Sequence, residues 1–405
     1  MKSKLLKIIG ALIVLILVLA GPTAVFWLQW MMPSEGFPPS ISDAGQYKGS
    51  RDETLHAQLA NIVSTARDEV GAPSITAAIS MNGELVWAGT SGFADMESET
   101  AATPEYLYRL GSTSKPLATL ILARMVDDGL IDMDRPIEQI ASDVPEALHG
   151  ITTAQLASHT AGIRHYTRML TWWPTSNETV TPEHYDSVFA GLSMFIEDDL
   201  LFEPGTDFTY STFGYSLLSY VMEQATETPF EELLQRYVNE PLEVDLRLDD
   251  LTVDMPDRAT TYMTGKGKWG PAYPADPSYK WAGGGIVATP TDLVMIGQAL
   301  LGREFISAET RDKFWTPVAL PDSDTNPQNY GIGWRIDTSV ATLGEQAPML
   351  MIHHGGRQLG GVAFWAIYPQ LGISVAAVAN TGDGEARGTV QATAYALVRE
   401  LVANL

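Results

Sequence analysis

The chain has 405 residues, of which 45% are hydrophobic, a composition that indicates a folded protein with a large core. Acidic residues outnumber basic ones by 49 to 25, so the formal net charge is -24. A chain this acidic repels polyanions, which excludes nucleic acid as a partner. The sequence has no cysteine, which excludes disulfides, a cysteine nucleophile and zinc–thiolate sites.

An apolar segment runs from Ile8 to Trp30. At about 1.5 Å per residue of helix, it is long enough to cross a hydrocarbon core of about 30 Å. Lysines precede it and tryptophans close it, which predicts that the amino terminus lies in the cytoplasm. We therefore expect a single-pass anchor over residues 1–32 in the cell inner membrane, with the rest of the chain on the periplasmic, extracytoplasmic side. A cleaved signal peptide is the alternative.

Residues 33–53 are rich in proline and glycine and predict a linker, which leaves residues 54–405 as one domain. Apolar residues at helical spacing predict a first helix from Thr54 to about Val70. Two strands should follow, Ser74–Met81 and Glu84–Gly89. The Asn-Gly pair between them is the strongest short-range signal for a two-residue hairpin.

Helical segments dominate from Ser112 to about Leu301. Strands return at residues 330–336, 349–353, 362–368 and 372–378, and a last helix runs from about 389 to 401. Strands at both ends of the domain with helices between them predict one antiparallel sheet assembled from distant segments, with a helical insertion beside it. The fold class is therefore α/β, of the α+β type.

Ser112 and Lys115 lie three positions apart at a predicted helix start. Three positions are roughly one turn, so the lysine amine can reach the serine hydroxyl and accept its proton. The apolar residues that follow would bury this helix, and burial lowers the pKa of a lysine amine. The pair is a candidate nucleophile and base, and a serine cap followed by a solvated lysine is the other interpretation.

Tyr210 begins a polar stretch, Tyr210-Ser211-Thr212, in front of another predicted helix. A phenol beside a lysine ammonium can be held near its ionised form and pass a proton between a nucleophile and a leaving group. Tyr210 is our candidate for that role. Packing in the core is the alternative for an isolated tyrosine.

A glycine-rich segment, residues 352–361, contains the adjacent His353 and His354. Glycines let a substrate backbone approach an edge strand, and a strand amide could complete an oxyanion hole. A glycine-rich bend with an incidental histidine is the alternative. The histidines show no His-Glu-x-x-His pattern, so no metal and no cofactor is predicted. His159, followed by Thr-Ala-Gly, is expected to close a turn at a helix end.

Taken in order, the segments Ser112–Lys115, Tyr210–Thr212 and His354–Gly356 resemble the three motifs of the serine β-lactamase and DD-peptidase superfamily. The resemblance is greatest to the class C β-lactamase-related serine hydrolases, in particular the membrane-anchored, mitochondrial-type β-lactamase-like proteins, and it covers roughly residues 54–401. It implies an antiparallel sheet of about five strands flanked by helices, an all-helical insertion, and an active site between them.

The resemblance also implies roles for individual residues. Ser112 would be the acyl-forming nucleophile, with Lys115 and Tyr210 as the proton-transfer pair. The backbone amides of Ser112 and Arg357 would form the oxyanion hole, and His354 rather than His353 would take the third-motif position. The residues implied to contact substrate are Thr212, His354, Gly355, Gly356 and Arg357.

Two residues depart from the pattern of penicillin-active relatives. Thr212 stands where those proteins usually carry an asparagine whose amide contacts substrate. His354 stands in place of a lysine, so a positive charge there would depend on pH. We therefore expect hydrolysis of peptide, amide or ester bonds rather than efficient lactam breakdown, and an apparent KM for an anionic substrate that rises as His354 loses its proton.

The expected function is a membrane-anchored serine hydrolase that acts on a small-molecule, peptide or ester substrate through a Ser112 acyl-enzyme. The alternatives are a catalytically weak, penicillin-binding-like scaffold or sensor, and a true β-lactamase. The sequence carries no signal for an oligomeric state. Aromatic residues that could shape the pocket are Trp172, Trp173, Tyr273, Trp281 and Trp334.

Overall fold

The computed structural model describes residues 53–405 apart from 168–177, 266–267, 303, 345–347 and 383, together with short pieces at 9–10, 14, 21, 35–36 and 47–49. The predicted anchor lies almost wholly outside the described residues, and so do Trp172 and Trp173 of the expected pocket. In the part of the chain that is described, we find no helix that combines the length and the apolar character needed to cross a bilayer.

Strands lie at both ends of the domain and most helices lie between them. The strands are β1 (Glu35–Gly36), β2 (Tyr47–Gly49), β3 (Ser74–Met81), β4 (Glu84–Asp95), β5 (Thr100–Ala101), β6 (Tyr108–Arg109), β7 (Arg247–Leu248), β8 (Tyr262–Gly265), β9 (Lys268–Pro271), β10 (Ile286–Ala288), β11 (Arg335–Thr338), β12 (Leu350–Gln358), β13 (Gly361–Tyr368) and β14 (Ile373–Ala379). The helices are α1 (Glu53–Val70), α2 (Ser114–Asp127), α3 (Thr153–Ser158), α4 (Val188–Leu192), α5 (Thr212–Thr226), α6 (Phe230–Leu234), α7 (Glu240–Leu242), α8 (Trp281–Gly284), α9 (Pro290–Leu301), α10 (Ala308–Phe314), α11 (Val340–Leu343) and α12 (Gly384–Ala403).

One antiparallel sheet joins the two ends of the domain, in the order β11-β12-β13-β14-β3-β4-β2, with β5 also paired to β4. β14 pairs with β3 along its whole length, from Ile373 opposite Met81 to Ala379 opposite Ile75. The prediction of a sheet assembled from distant segments is confirmed. The expected number of about five strands was wrong, because the short strands β11 and β2 extend the sheet at its two edges.

The hairpin between β3 and β4 forms at the Asn-Gly pair, as predicted. Asn82 and Gly83 have φ angles of 52° and 91°, the left-handed backbone that a type I′ turn requires at both central positions. β4 is longer than expected, because the chain beyond Gly89 stays paired with β3 as far as Gly92.

The predicted strand over residues 330–336 is largely a turn, and β11 begins only at Arg335. Gly333 has a φ of 86°, and the N–H of Gly331 donates to the carbonyl oxygen of Trp334 at 2.9 Å. The glycines therefore reverse the chain before the strand begins. This reversal carries Tyr330 back toward the centre of the molecule, where it is fully buried.

The main sheet separates two apolar layers. One layer contains α1 and α12 with alternate strand residues such as Ala77, Phe364 and Val375. The other contains α2, α5 and α9 with the intervening strand residues, such as Ala78 and Ala376. The two-residue period of a strand explains why neighbours in sequence belong to different layers.

The chain between β5 and β11 contains most of the helices, but it also contains strands, so the expectation of an all-helical insertion was wrong. β6, β10 and β7 form a small antiparallel sheet, and β8 and β9 form a hairpin that β1 extends. In these short segments, strand pairing supplies hydrogen-bond partners for the backbone N–H and C=O groups. A helix of the same length would leave most of these groups without partners inside the helix. In the small sheet Val287 lies opposite Arg109, so the chain just before Ser112 is tied to the chain just after α8.

A buried ion cluster lies at the end of this small sheet. Asp249 is fully buried, with Arg109 Nε 2.6 Å from its Oδ2 and Arg258 Nη1 donating to its Oδ1 at 2.7 Å. Arg109 Nη1 also donates to the carbonyl oxygen of Leu359 at 3.1 Å, in the turn between β12 and β13. The cluster therefore joins the small sheet to the main sheet beside the Ser112 segment.

Candidate active site

Ser112 lies in a turn between β6 and α2. The turn is one 3₁₀ element, Gly111–Thr113, in which Gly111 has a φ of 52°, a left-handed conformation that suits glycine. Ser114 begins α2, and its Oγ accepts a hydrogen bond from the N–H of Ile286 at 3.1 Å. Ser112 is half-buried while its neighbours in the turn are buried. The predicted nucleophile is thus held in a fixed turn without being sealed in the core.

Lys115 is fully buried beneath Ser112. Its Nζ donates to Ser112 Oγ at 3.3 Å. It also donates to Thr212 Oγ1 at 3.1 Å and to the carbonyl oxygen of Gly283 at 2.6 Å. The structure therefore brings the predicted serine and lysine into contact and surrounds the lysine with neutral acceptors from α5 and α8.

The electrostatic surroundings of Lys115 favour a neutral amine. Among the described residues, none of the partners of Nζ carries a negative charge. Burial lowers the pKa of Lys115 well below the usual lysine value, and the positive charges of Lys280 and Arg335 lower it further. A neutral amine keeps two N–H donors for its other partners and can direct its lone pair at Ser112 Oγ. This environment suits a base.

Tyr210 lies against both groups. Its side chain lies close to the Ser112 hydroxyl, and Lys115 Nζ lies 4.8 Å from the centroid of its ring. Burial raises the pKa of Tyr210 to about 12, an effect that the nearby Ser112 hydroxyl and the charges of Arg335 and Arg387 offset only in part. The expectation of a nearly ionised phenol was therefore wrong, because the adjacent lysine is itself driven toward its neutral state. A protonated hydroxyl can still relay a proton.

Two histidines hold the backbone that follows Tyr210. The N–H of Ser211 donates to His159 Nδ1 at 3.1 Å, and the N–H of Thr212 donates to His165 Nδ1 at 3.2 Å. An imidazole that accepts at Nδ1 is neutral, and burial lowers the pKa of both rings, that of His165 to about 3. His159 ends α3 with a φ of 66°, as expected. His165 was missed, because a lone histidine belongs to no motif.

Thr212 accepts a hydrogen bond from Lys115 and helps to hold its amine in place. The threonine is 2% exposed. Its hydroxyl accepts from Lys115 Nζ and lies close to the side chain of Tyr166. The sequence predicted Thr212 as a substrate contact, whereas both of these partners lie within the protein.

β12 runs directly beside the Ser112 turn. A Cβ atom on Gly356 would overlap the carbonyl oxygen of Leu110 and lie 2.9 Å from Ser112 N. A Cβ atom on Gly111 would lie 2.8 Å from Arg357 N. Glycine at these two positions is what allows the strand and the turn to approach so closely. The backbone amides of Ser112 and Arg357, the predicted oxyanion hole, lie on the two sides of this contact, and their role stays a prediction.

His354 is fully buried on the side of β12 that faces Tyr210, with the two ring centroids 6.3 Å apart. Its Nδ1 lies 2.9 Å from the carbonyl oxygen of Gly355, and its Nε2 lies 2.9 Å from the hydroxyl of Tyr330. A proton on Nδ1 satisfies the carbonyl and leaves Nε2 to accept from the tyrosine. Burial and the charges of Arg335 and Lys115 lower the pKa of His354 well below its usual value. The expected pH-dependent cation near neutrality is therefore absent at this position.

His353 faces the opposite side of the sheet. Its Nε2 lies 2.8 Å from Asp337 Oδ2, and its ring packs beside Phe364. Because adjacent strand residues point to opposite faces, only one of the two histidines can face the site. The structure gives that place to His354.

Positive charge at the site comes from residues that the sequence analysis did not single out. The Arg335 guanidinium lies 5.7 Å from the centroid of Tyr210 and 5.8 Å from that of Tyr330. Lys280 is buried nearby and lowers the pKa of Lys115. Within the described residues, neither cation forms an ion pair. Arg335 and Lys280 both lie outside the three motifs, so no pattern in the sequence pointed to them.

The aromatic residues expected to shape the pocket play different parts. Trp334 is buried in the core, where its ring lies 4.8 Å from that of Trp365. Trp281 is buried at the start of α8. Tyr273 is half-buried. The expectation that Trp334 lines the pocket is therefore wrong, because its side chain fills the core beside Trp365.

Comparisons with known proteins identify the family of the chain. Residues 59–400 match the family model described as Beta-lactamase. The human protein named Serine beta-lactamase-like protein LACTB, mitochondrial, is 26% identical over 390 residues, which are 75% of this chain and 70% of that protein. Esterase EstB of Burkholderia gladioli is 23% identical over 368 residues, which are 81% of this chain and 91% of that protein.

A solved structure shares the fold. The D-amino acid amidase from Ochrobactrum anthropi SV3, complexed with D-phenylalanine, is similar with a TM-score of 0.70 at 20% sequence identity, over 87% of this chain and 100% of that one. The family model spans nearly the whole described domain, from within α1 to within α12. The chain is a member of the β-lactamase family.

Proposed function

We propose that this family member cleaves peptide, amide or ester bonds through an acyl-enzyme formed on Ser112. The observation that carries the proposal is the 3.3 Å contact between Ser112 Oγ and the buried amine of Lys115. A serine hydroxyl is a weak nucleophile until a base takes its proton. A lysine that burial drives toward the neutral form can be that base.

In acylation, Ser112 Oγ attacks the carbonyl carbon of the substrate while its proton passes to Lys115 Nζ. The carbonyl oxygen becomes an oxyanion, which the backbone amides of Ser112 and Arg357 stabilise. The bond to the leaving amine or alcohol then breaks. Tyr210 donates its hydroxyl proton to that leaving group and recovers one from Lys115, so the pair ends the step in its starting state.

Deacylation reverses the roles. A water molecule attacks the acyl carbon and gives its proton to the Tyr210 and Lys115 pair, and the same two amides stabilise the second oxyanion. When the acyl–oxygen bond to Ser112 breaks, the proton returns to Ser112 Oγ. The product is a free carboxylic acid, and the enzyme is regenerated.

Two features favour peptide, amide or ester substrates over lactams. The Thr212 hydroxyl is occupied by Lys115, and His354 is neutral, so neither group offers the substrate contact that the resemblance implied. The Arg335 guanidinium, 5.7 Å from the centroid of the Tyr210 ring, suits an anionic group on a substrate of any of these classes. The amidase and esterase relatives agree with this range of leaving groups.

The test uses the full chain in detergent, as wild type and as Ser112→Ala. A neutral fluorophosphonate should add once to the wild type, at Ser112, and not to the variant. A panel of a short-chain aryl ester, D-Ala and L-amino-acid peptides and a chromogenic cephalosporin should show turnover of an ester or a peptide above that of the cephalosporin. A folded wild type with no adduct would favour a scaffold or sensor, and faster cephalosporin turnover would favour a true β-lactamase.

We also propose that residues 1–32 anchor the enzyme in the cell inner membrane with its active site on the periplasmic side. The apolar length of Ile8–Trp30 and the preceding lysines support this. The full chain should remain with membranes after an alkaline carbonate wash, and added protease should digest the domain in spheroplasts. Release by the wash, or protection from protease, would overturn the anchor or its orientation.

A further inference from the structure

A second lysine lies close to the reacting groups. Lys280 ends a 3₁₀ turn, Ser278–Lys280, and directly precedes α8. The residue is 7% exposed. A Cβ atom on Gly284 would lie 3.7 Å from Lys280 Cδ and also 3.7 Å from the carbonyl carbon of Gly111. The Lys280 side chain therefore runs beside the turn that carries Ser112.

Aromatic and hydroxyl groups connect Lys280 with Lys115. Lys280 Nζ lies 5.6 Å from the ring centroid of Tyr166 and 5.1 Å from that of Tyr279. The Tyr166 side chain also lies close to Thr212, whose Oγ1 accepts from Lys115 Nζ at 3.1 Å. The helix that supplies the shortest hydrogen bond of Lys115 begins at the residue after Lys280. The two amines thus belong to one packed unit.

The carboxylates near Lys280 have closer partners of their own. Asp249 pairs with Arg109 at 2.6 Å, and Asp276 Oδ2 lies 2.9 Å from His184 Nδ1. Both carboxylates still raise the pKa of Lys280 through space and so help to keep its amine charged.

The protonation of Lys280 follows from the groups that face it. Arg109 on β6 and Lys115 on α2 contribute positive charge, and Asp249 and Asp276 contribute negative charge. Burial, followed by the charge of Arg109, lowers the pKa of Lys280 to about 8, and the two carboxylates offset part of this. Lys280 is therefore mainly charged at neutral pH and loses its charge as the pH rises above about 8. The neutral rings of Tyr166 and Tyr279 do not change this.

We propose that Lys280 is a positioning residue that acts through Lys115: its fixed positive charge keeps the Lys115 amine in the unprotonated form that takes the proton of Ser112. Two ammonium groups in one buried unit repel each other. Lys115 is the more completely buried of the two, so the proton leaves Lys115 rather than Lys280. The inference rests on the proposed role of Lys115 as the base.

The test measures the rate of Ser112 labelling by a neutral fluorophosphonate as a function of pH, on the full chain in detergent. The variants are Lys280→Met and Lys280→Gln, which remove the charge, and Lys280→Arg, which keeps it. Lys313→Met is the matched control, because Lys313 is exposed and pairs only with Asp134 at the surface. Thermal unfolding confirms that each variant is folded.

Loss of the Lys280 charge raises the proton affinity of Lys115, so the acid limb of the profile should move to higher pH in both neutral variants. Their labelling should be several-fold slower on the acid side and should converge on the wild type above about pH 8, where the wild-type Lys280 is itself uncharged. Lys280→Arg and Lys313→Met should follow the wild type on the acid side.

The outcomes separate this inference from the proposed function. A wild type that is never labelled refutes the proposed function. If the wild type is labelled, and the folded Lys280→Met and Lys280→Gln variants keep the same acid limb, then only the proposed role of Lys280 is refuted. A uniform loss at all pH values shows a purely structural role and likewise overturns the proposal. If Lys280→Met does not fold, Lys280→Gln decides by the same criteria.

Discussion

Lys115 Nζ donates its shortest hydrogen bond, 2.6 Å, to the carbonyl oxygen of Gly283 rather than to any charged group. A Cβ atom on Gly283 would lie 2.6 Å from Thr212 Cγ2 and 2.9 Å from the Thr212 carbonyl oxygen. Glycine therefore lets α8 pack against the start of α5 while its carbonyl reaches the lysine. The backbone at Gly283 therefore positions Lys115 through its carbonyl oxygen and Thr212 through direct packing.

We expect Gly283→Ala to slow Ser112 labelling and to lower stability, because the new methyl group must push Thr212 away from Lys115. Overpacking of this kind costs about 1–3 kcal/mol. Labelling rate and thermal unfolding measure the two effects. Gly388→Ala in α12 is the control, since a Cβ there meets nothing within 4 Å and alanine favours a helix. Equal behaviour of the two variants would contradict the packing argument.

We expect Lys115→Ala and Tyr210→Phe each to remove most of the turnover that Ser112→Ala removes, because groups that act as one unit are not additive. The double variant should be little worse than the worse single variant. Steady-state kinetics on the best substrate of the panel measures this, and circular dichroism checks the fold. Near wild-type turnover in either single variant would refute the assigned proton-transfer pair.

Recognition of an anionic substrate should depend on Arg335 and not on His354. Arg335→Gln should raise KM for a substrate with a carboxylate and leave KM for a neutral ester nearly unchanged. Since the pKa of His354 is lowered well below its usual value, KM for the anionic substrate should not rise as pH climbs from mildly acidic to neutral. A KM that rises through this range in the wild type and is flat in His354→Asn would restore the sequence-based hypothesis.

Buried neutral histidines should make stability depend on pH. Protonation of His159, His165 and His354 is disfavoured in the folded chain, so below their ordinary pKa of 6.5 the unfolded chain binds more protons. The free energy of unfolding therefore falls as the pH drops below 6.5 toward the lowered pKa values of these histidines, and it rises as the pH returns to neutrality. The difference in Tm between about pH 7.5 and about pH 5.5 should shrink in His165→Gln, which retains an acceptor for Thr212. An unchanged difference would exclude His165 as a contributor.

The buried ion cluster should be much more sensitive than surface pairs. Asp249→Asn leaves Arg109 and Arg258 without their shared countercharge, which costs about 3–5 kcal/mol. Asp134→Asn removes an exposed partner of Lys313 and should cost about 1 kcal/mol or less. Urea unfolding of both variants gives the comparison. Similar losses in the two would show that the cluster is better hydrated than its burial indicates.

The elements that local chemistry determines were predictable from the sequence. The Asn-Gly turn, the helices at both ends of the domain and the one-turn spacing of Ser112 and Lys115 each depend on a few neighbouring residues. The pairing of distant strands followed from their order along the chain. The family resemblance then brought the three motifs together, which no local pattern could do.

The features that were missed depend on tertiary surroundings. The protonation states of Tyr210 and His354 follow from burial and from the charges that folding places around them, which a sequence does not display. Arg335 and Lys280 belong to no motif and become important only because folding places their charges beside Lys115. The edge strand β2 is too short to produce a periodic signal, and the strand predicted over residues 330–336 coincides with β11 only at its last two residues.

The two halves of the site are far apart in the chain. Thr113 Oγ1 donates to the carbonyl oxygen of His354 across 241 positions, and Ser74 N donates to Asn380 Oδ1 across 306. β12 to β14 and α12 are synthesised last, and until they emerge the Ser112 turn lacks its neighbour β12 and β3 lacks its partner β14. The Ser112 turn therefore acquires its neighbouring strand only after residues 350–405 have been synthesised and have docked.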